Sequence, residues 1–216
     1  MKAVSKVVAG VALASCAMFS TSAMAEVSYN VGYASEYHFR GILQKVSSAS
    51  GGVDYENGGF YIGTWAADVG DGLEVDGYFG YGIETEGGFS ASVGFTGYYY
   101  TGEFDDTYQE VNFNFGFGPI GLEYSVGTYD NFGGPEQDYD FIAISGDAGN
   151  GFYGTIGAFG DDFDGEYLEL GYGTSLADID IGVAAIFASK ELSDQLDSSG
   201  NPTGGESIVF TIGKSW

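Results

Sequence analysis

Residues 27–41 read VSYNVGYASEYHFRG. The odd positions, Val27, Tyr29, Val31, Tyr33, Ser35, Tyr37 and Phe39, are apolar or aromatic apart from one serine. The even positions, Ser28, Asn30, Gly32, Ala34, Glu36, His38 and Arg40, are small, polar or charged. A period of two describes a strand with two unlike faces. At about 3.3 Å per residue, thirteen residues of it span roughly 43 Å. Tilted by about 45°, it rises roughly 30 Å, the thickness of a bilayer's hydrocarbon core. Strands of soluble proteins are usually about five or six residues long. The stretch therefore predicts one stave of a transmembrane barrel, its odd face to lipid and its even face inward.

The alternation recurs over 49–56, 60–67, 73–83, 89–100, 107–117, 120–129, 139–145, 152–160, 166–176, 179–189 and 207–216. This predicts an all-β fold: a transmembrane antiparallel up-and-down β-barrel of about twelve strands, within a range of ten to fourteen. Asn57-Gly58-Gly59, Gly118-Pro119 and Ala177-Asp178 mark tight turns. The segment 42–48 reads as a polar connection between the first two strands. Alternate connections are longer and mostly acidic, the asymmetry of outer-membrane barrels with long extracellular loops and short periplasmic turns. A soluble β-sandwich shares the alternation and regular turns, but not this succession of paired strands with aromatic outer faces. No apolar run downstream of the N-terminal segment reaches the roughly 20 residues of a membrane helix. A spanning chain without such helices closes into a barrel, where every backbone group is paired.

The N-terminus has the form of a secretory signal: Lys2 and Lys6, then an apolar run over 7–19, then Ala23-Met24-Ala25. Residues 1–25 are predicted to be removed, leaving a barrel domain over 26–216. Leu13-Ala14-Ser15-Cys16 offers a competing lipoprotein-type site. Cys16 is the single cysteine, so the mature domain has no disulfide or thiol chemistry. Beyond residue 25, Arg40, Lys45, Lys190 and Lys214 are the basic residues against 31 acidic ones. Nucleic acid and anionic membrane surfaces are poor partners for such a chain, and cations are good ones. The final strand places Ile208, Phe210, Ile212 and Trp216 on one parity. Outer-membrane barrels end in this way, and the barrel-assembly machinery reads the signal; that machinery and outer-membrane lipids are the expected partners.

A series of motifs lies in the first third of the chain: Ser35-Glu36-Tyr37-His38-Phe39-Arg40-Gly41, Gly51-Gly52-Val53-Asp54-Tyr55, Gly59-Phe60-Tyr61-Ile62-Gly63-Thr64-Trp65 and Glu74-Val75-Asp76-Gly77-Tyr78-Phe79-Gly80-Tyr81. In this order, over 29–81, they resemble the TorF family of porin-like proteins, also described as the Gcw_chp family of conserved bacterial proteins. The resemblance implies an outer-membrane barrel with a transport role. It departs at Ala66-Ala67, where a serine or asparagine is expected nearby, and at the terminal Trp216, where phenylalanine is commoner.

A charge at the lipid-facing midplane costs about 2–4 kcal/mol, so the polar parity is expected to line the lumen. The candidates for a pore lining or constriction are Glu36, His38, Arg40, Asp54, Glu56, Glu74, Asp76, Glu110 and Glu123, with Asn112 and Asn114 beside them. Arg40 reads either as a counter-charge at a constriction or as one half of a buried pair with Glu36, Asp54 or Asp76. Trp65 and Trp216 read as membrane-interface aromatics. His38, the single histidine, reads as a lumen hydrogen-bonder and not as a metal ligand, and no metal or cofactor is expected. Asp161-Asp162-Phe163-Asp164-Gly165 has the flavour of a calcium loop without its spacing or closing glutamate. One histidine leaves little room for a nucleophile–base pair, so an enzyme is not expected. The expected function is a channel for passive diffusion of small hydrophilic solutes, preferring cations. The alternative is a non-conducting structural or ligand-binding barrel of the outer membrane.

Overall fold

The computed structural model describes residues 25–216. The expected signal segment, apart from Ala25, lies outside the described residues. Twelve antiparallel strands close on themselves in simple sequence order, β12 pairing with β1. They are β1 Glu26–Phe39, β2 Ile42–Asn57, β3 Phe60–Gly70, β4 Gly72–Glu84, β5 Phe89–Tyr100, β6 Tyr108–Phe117, β7 Ile120–Tyr129, β8 Gln137–Gly149, β9 Phe152–Asp161, β10 Glu166–Leu176, β11 Ile179–Ala188 and β12 Gly205–Ser215. The helical content of the described residues is one short turn, Asn131–Gly133. The seam is sealed at the chain ends: the Tyr29 and Trp216 backbones exchange two hydrogen bonds, 3.1 and 3.0 Å long.

The outward parity carries a continuous apolar belt. Tyr29 and Val31 on β1, Phe79 and Tyr81 on β4, Ile142 and Ile144 on β8, and Ile208 and Phe210 on β12 all stand exposed. Apolar exposure on this scale is not a feature of soluble monomers, and it suits a hydrocarbon surround. Inward, aromatic rings lie across the backbone of neighbouring strands. A Cβ added to Gly63 would fall 2.5 Å from the Tyr78 ring, and one at Gly127 would fall 2.6 Å from the Tyr139 ring. One at Gly94 would overlap the Tyr61 hydroxyl. Glycine is thus abundant here because large lumen residues need bare backbone to lie against.

Two features differ from the sequence expectation. First, 42–48 is not a connection: β2 starts at Ile42, directly across a two-residue turn from Phe39. Arg40 and Gly41 both take positive φ, +47° and +86°, the geometry of a tight hairpin. The connection between β3 and β4 is likewise minimal, so the expected long outer loops begin only with 101–107. Second, the parity of β1 breaks. A register shift lies between Tyr37 and His38, and Ser47 on the opposing strand has φ +66°. These irregularities turn Tyr37, expected on the lipid side, into the interior, where it is 9% exposed.

Candidate functional site

The β1–β2 hairpin does not stay in the wall. The β1–β12 ladder ends at Ala34–Thr211, although β12 continues beside β11 as far as Gly205. On the other side, the β2–β3 ladder stops at Ser50–Ala67. Between these points the hairpin pairs with itself and bends over the lumen toward β6, β7, β8 and β10.

Arg40, at its tip, is 2% exposed. Its Nη1 donates to Glu110 Oε2 at 2.9 Å, and its Nη2 donates to Glu110 Oε1 at 3.0 Å. Nη2 also reaches Glu123 Oε1 at 2.6 Å and Ser125 Oγ at 3.2 Å. The guanidinium lies 4.1 Å from the Phe141 ring centroid, a cation–π distance. Burial of a guanidinium demands such partners, because unpaired it would cost several kcal/mol. The partners come from β6, β7 and β8, and not from Glu36, Asp54 or Asp76 as the sequence suggested. Left-handed backbone at a residue other than glycine costs on the order of 1 kcal/mol; at Arg40 that strain is offset by the side chain's docking.

Glu110 is the hub. Besides Arg40 it accepts from the Tyr98 hydroxyl at 2.7 Å, the Tyr139 hydroxyl at 3.0 Å and Asn112 Nδ2 at 2.6 Å. Asn112 in turn donates to Ser125 Oγ and accepts from Thr96. Glu74 accepts from the hydroxyls of Tyr37 at 2.5 Å and Tyr100 at 3.0 Å. Glu169 on β10 accepts from Tyr153 at 2.6 Å. Asp54, nearer the inner end, accepts from Tyr78 at 2.5 Å, and Glu56 sits half-buried beyond it, opposite Tyr61. Asp76 lies inward between Trp65 and Tyr98 in the strand register, and its buried Oδ1 has no protein partner. His38 Nε2 meets Glu36 Oε2 at 2.9 Å, within the hairpin itself.

The expected lumen set therefore divides. Arg40, Glu110 and Glu123 form one contact, Glu36 and His38 another, while Asp54, Glu56, Glu74 and Asp76 stand on the inner face apart from both. Trp65 is a correction: it is 6% exposed and packs edge-on against Tyr37 at 5.6 Å, inside the barrel and away from the membrane interface. Trp216, 61% exposed, lies on the outside with Lys214 Nζ 5.5 Å from its ring. The tyrosine donors and Glu169 were not singled out from sequence. Tyr98 and Tyr100 share parity with Ser92 and Thr96, and Glu169 lies between the outward Leu168 and Leu170, so a strict count of parity finds them.

Around the outer mouth, three connections send apolar side chains inward. Phe104 from 101–107 packs at Tyr100, with centroids 5.7 Å apart. Phe163 from 162–165 stacks on Tyr139 at 5.0 Å. Leu192 from 189–204 joins Phe141, Ala143 and Tyr167. The acidic run ending at Gly165 thus serves to carry Phe163, and Asp162 and Asp164 accept backbone N–H groups. Among the described residues no three carboxylate, imidazole or thiol groups converge on a metal position.

A closed antiparallel barrel with an apolar outer belt and a charged, tyrosine-lined interior defines a transmembrane β-barrel. Residues 19–201 match a family described as bacterial protein of unknown function (Gcw_chp), and the chain belongs to it. No curated protein matches the chain. Among solved structures it is similar to a NanC porin, with a TM-score of 0.52 at 8% identity, covering 87% of this chain and 98% of that one. OprD of Pseudomonas aeruginosa shows a TM-score of 0.43 at 11% identity, covering 89% of this chain and 66% of that one. OccK1 of Pseudomonas aeruginosa gives 0.39 at 14% identity, and the chain spans 80% of its own length and 58% of OccK1's. At these identities the likeness is one of fold, and it is the NanC porin that carries it.

Proposed function

We propose that this chain is an outer-membrane, porin-like channel for passive diffusion of small hydrophilic solutes, preferring cations. The observation behind this reading is the charge of the interior. Asp54, Glu56, Glu74, Asp76, Glu110, Glu123 and Glu169 face inward, against Arg40 and His38. A low-dielectric wall lined with one sign of charge concentrates counter-ions and repels co-ions. The motif series over 29–81 supports the narrower assignment to the TorF porins. In this account residues 1–25 direct export, the apolar belt meets outer-membrane lipid, and the β12 strand ending in Trp216 is read by the barrel-assembly machinery. No catalytic role is assigned, because His38 is spent on Glu36 and on the Gly41 carbonyl within the hairpin.

A second reading, a non-conducting barrel of the surface, draws on the inward hairpin and on Phe104, Phe163 and Leu192 at the mouth. Liposome swelling separates the two. Purified barrel in vesicles should admit small neutral and cationic solutes faster than anionic ones of equal size. Vesicles that stay as tight as protein-free controls would favour the second reading.

A further inference from the structure

We infer that residues 36–48 form a lid over the outer mouth, closed by Arg40 docked in a wall-borne guanidinium cradle, and that a guanidinium-bearing solute competing for that cradle opens it. The inference rests on the channel reading and specifies how that channel is regulated.

The lid's backbone ladders only to itself, and side chains alone tie it to the wall, Glu36 to Ser207 and Tyr37 to Glu74 among them. Its strands pair with each other from Glu36–Val46 to Phe39–Ile42, while the ladders to β12 and β3 have already ended. The irregularities at Tyr37–His38 and Ser47 lie where it leaves the wall, as a hinge requires. Its outer face is free of packing: Val46 is 62% exposed and Leu43 also stands out. Near the hinge, Lys45 pairs with Asp68 and the Ser48 hydroxyl donates to the Asp68 carbonyl, which tethers the base and leaves the tip to Arg40. Tyr37 on Trp65, with its hydroxyl on Glu74, Phe39 on Tyr98 and the close approach of Gly41 to Tyr167 seat the lid between hinge and tip.

The cradle belongs to the wall alone. Glu110, Glu123, Ser125 and the Phe141 plate stand on β6, β7 and β8, each fully laddered to its neighbours. Tyr98, Tyr139 and Asn112, all borne by the wall, donate to the Glu110 carboxylate alongside Arg40. Two carboxylates, a hydroxyl and an aromatic face match the planar fork of a guanidinium far better than a compact ammonium. A solute carrying that fork meets in the cradle the same contacts that hold the lid shut.

The test uses the full barrel refolded in detergent and in vesicles, with Arg40→Ala, and with the milder Glu123→Gln should Arg40→Ala not fold. Hydrogen exchange of 36–48 should accelerate by roughly tenfold or more in Arg40→Ala, with the wall strands unchanged. Methylguanidinium should raise the unfolding midpoint of Arg40→Ala, and methylammonium should not. In native barrel, methylguanidinium should accelerate exchange of 36–48. Exchange of 36–48 that is unchanged in both variants, or equal responses to the two cations, would overturn the lid and cradle. Release of the lid without any conductance in any variant would instead refute the channel reading and leave the lid standing.

Discussion

Arg40 and Glu110 lie seventy residues apart in sequence and form a two-pronged ion pair inside the barrel, with N–O distances of 2.9 and 3.0 Å. One comes from the tip of the first hairpin, the other from the opposite wall, two residues into β6. The pair joins the segment that covers the lumen to the strand that organises its charge. Removing the acid leaves a buried guanidinium with Glu123 as its remaining carboxylate, and deprives Tyr98 and Tyr139 of their acceptor. Glu110→Ala should therefore destabilise the barrel by about 3 kcal/mol. Urea unfolding in detergent, followed by the heat-dependent gel shift of folded barrels, measures it. A change below about 0.5 kcal/mol would show that the pair holds nothing.

The rings that lie on glycines make a second prediction. Gly94→Ala puts a methyl group into the Tyr61 hydroxyl, whereas a Cβ at Gly77 meets nothing within 4 Å. Overpacking of this kind costs about 1–3 kcal/mol. The same unfolding assay should show that loss for Gly94→Ala and near neutrality for Gly77→Ala.

The two tryptophans should respond oppositely to lipid. Trp65 packs on Tyr37 inside, and Trp216 stands exposed at the chain end. Brominated lipids should quench the emission of Trp65→Phe, which retains Trp216, and leave that of Trp216→Phe nearly untouched. Equal quenching would place Trp65 on the outer wall.

How much of this was legible in the sequence varies along the chain. Parity alone placed Glu74, Asp76, Glu110 and Glu123 inward, because β4, β6 and β7 run without a bulge and every second residue keeps its side. It misplaced Tyr37 because two local irregularities in the first hairpin break the period, and no residue type announces them. It missed the Arg40 turn because hairpin turns of this geometry favour Asn-Gly, and Arg-Gly carries no such signal. Trp65 failed for a different reason. An aromatic ring on a barrel strand suits either the membrane interface or the lumen packing, and composition does not distinguish them. The partners of Arg40 are contacts across the barrel, decided by how far the hairpin bends.

Closure of the seam gives a further prediction. Trp216 contributes both backbone hydrogen bonds to Tyr29. Deleting it should cost about 1–2 kcal/mol and lower the folded fraction recovered in vesicles. Trp216→Phe, which keeps the backbone, should fold like the native chain. Similar loss in both variants would assign the effect to the indole ring.

The central claim is that the acidic interior conducts cations. Its most direct test is the reversal potential of the purified barrel in a planar bilayer under a potassium chloride gradient, for the native chain and for Arg40→Ala. The account predicts a reversal potential of cation-selective sign in both, with larger conductance once Arg40 is gone. Anion selectivity in either protein, or the absence of conductance in both, would contradict it.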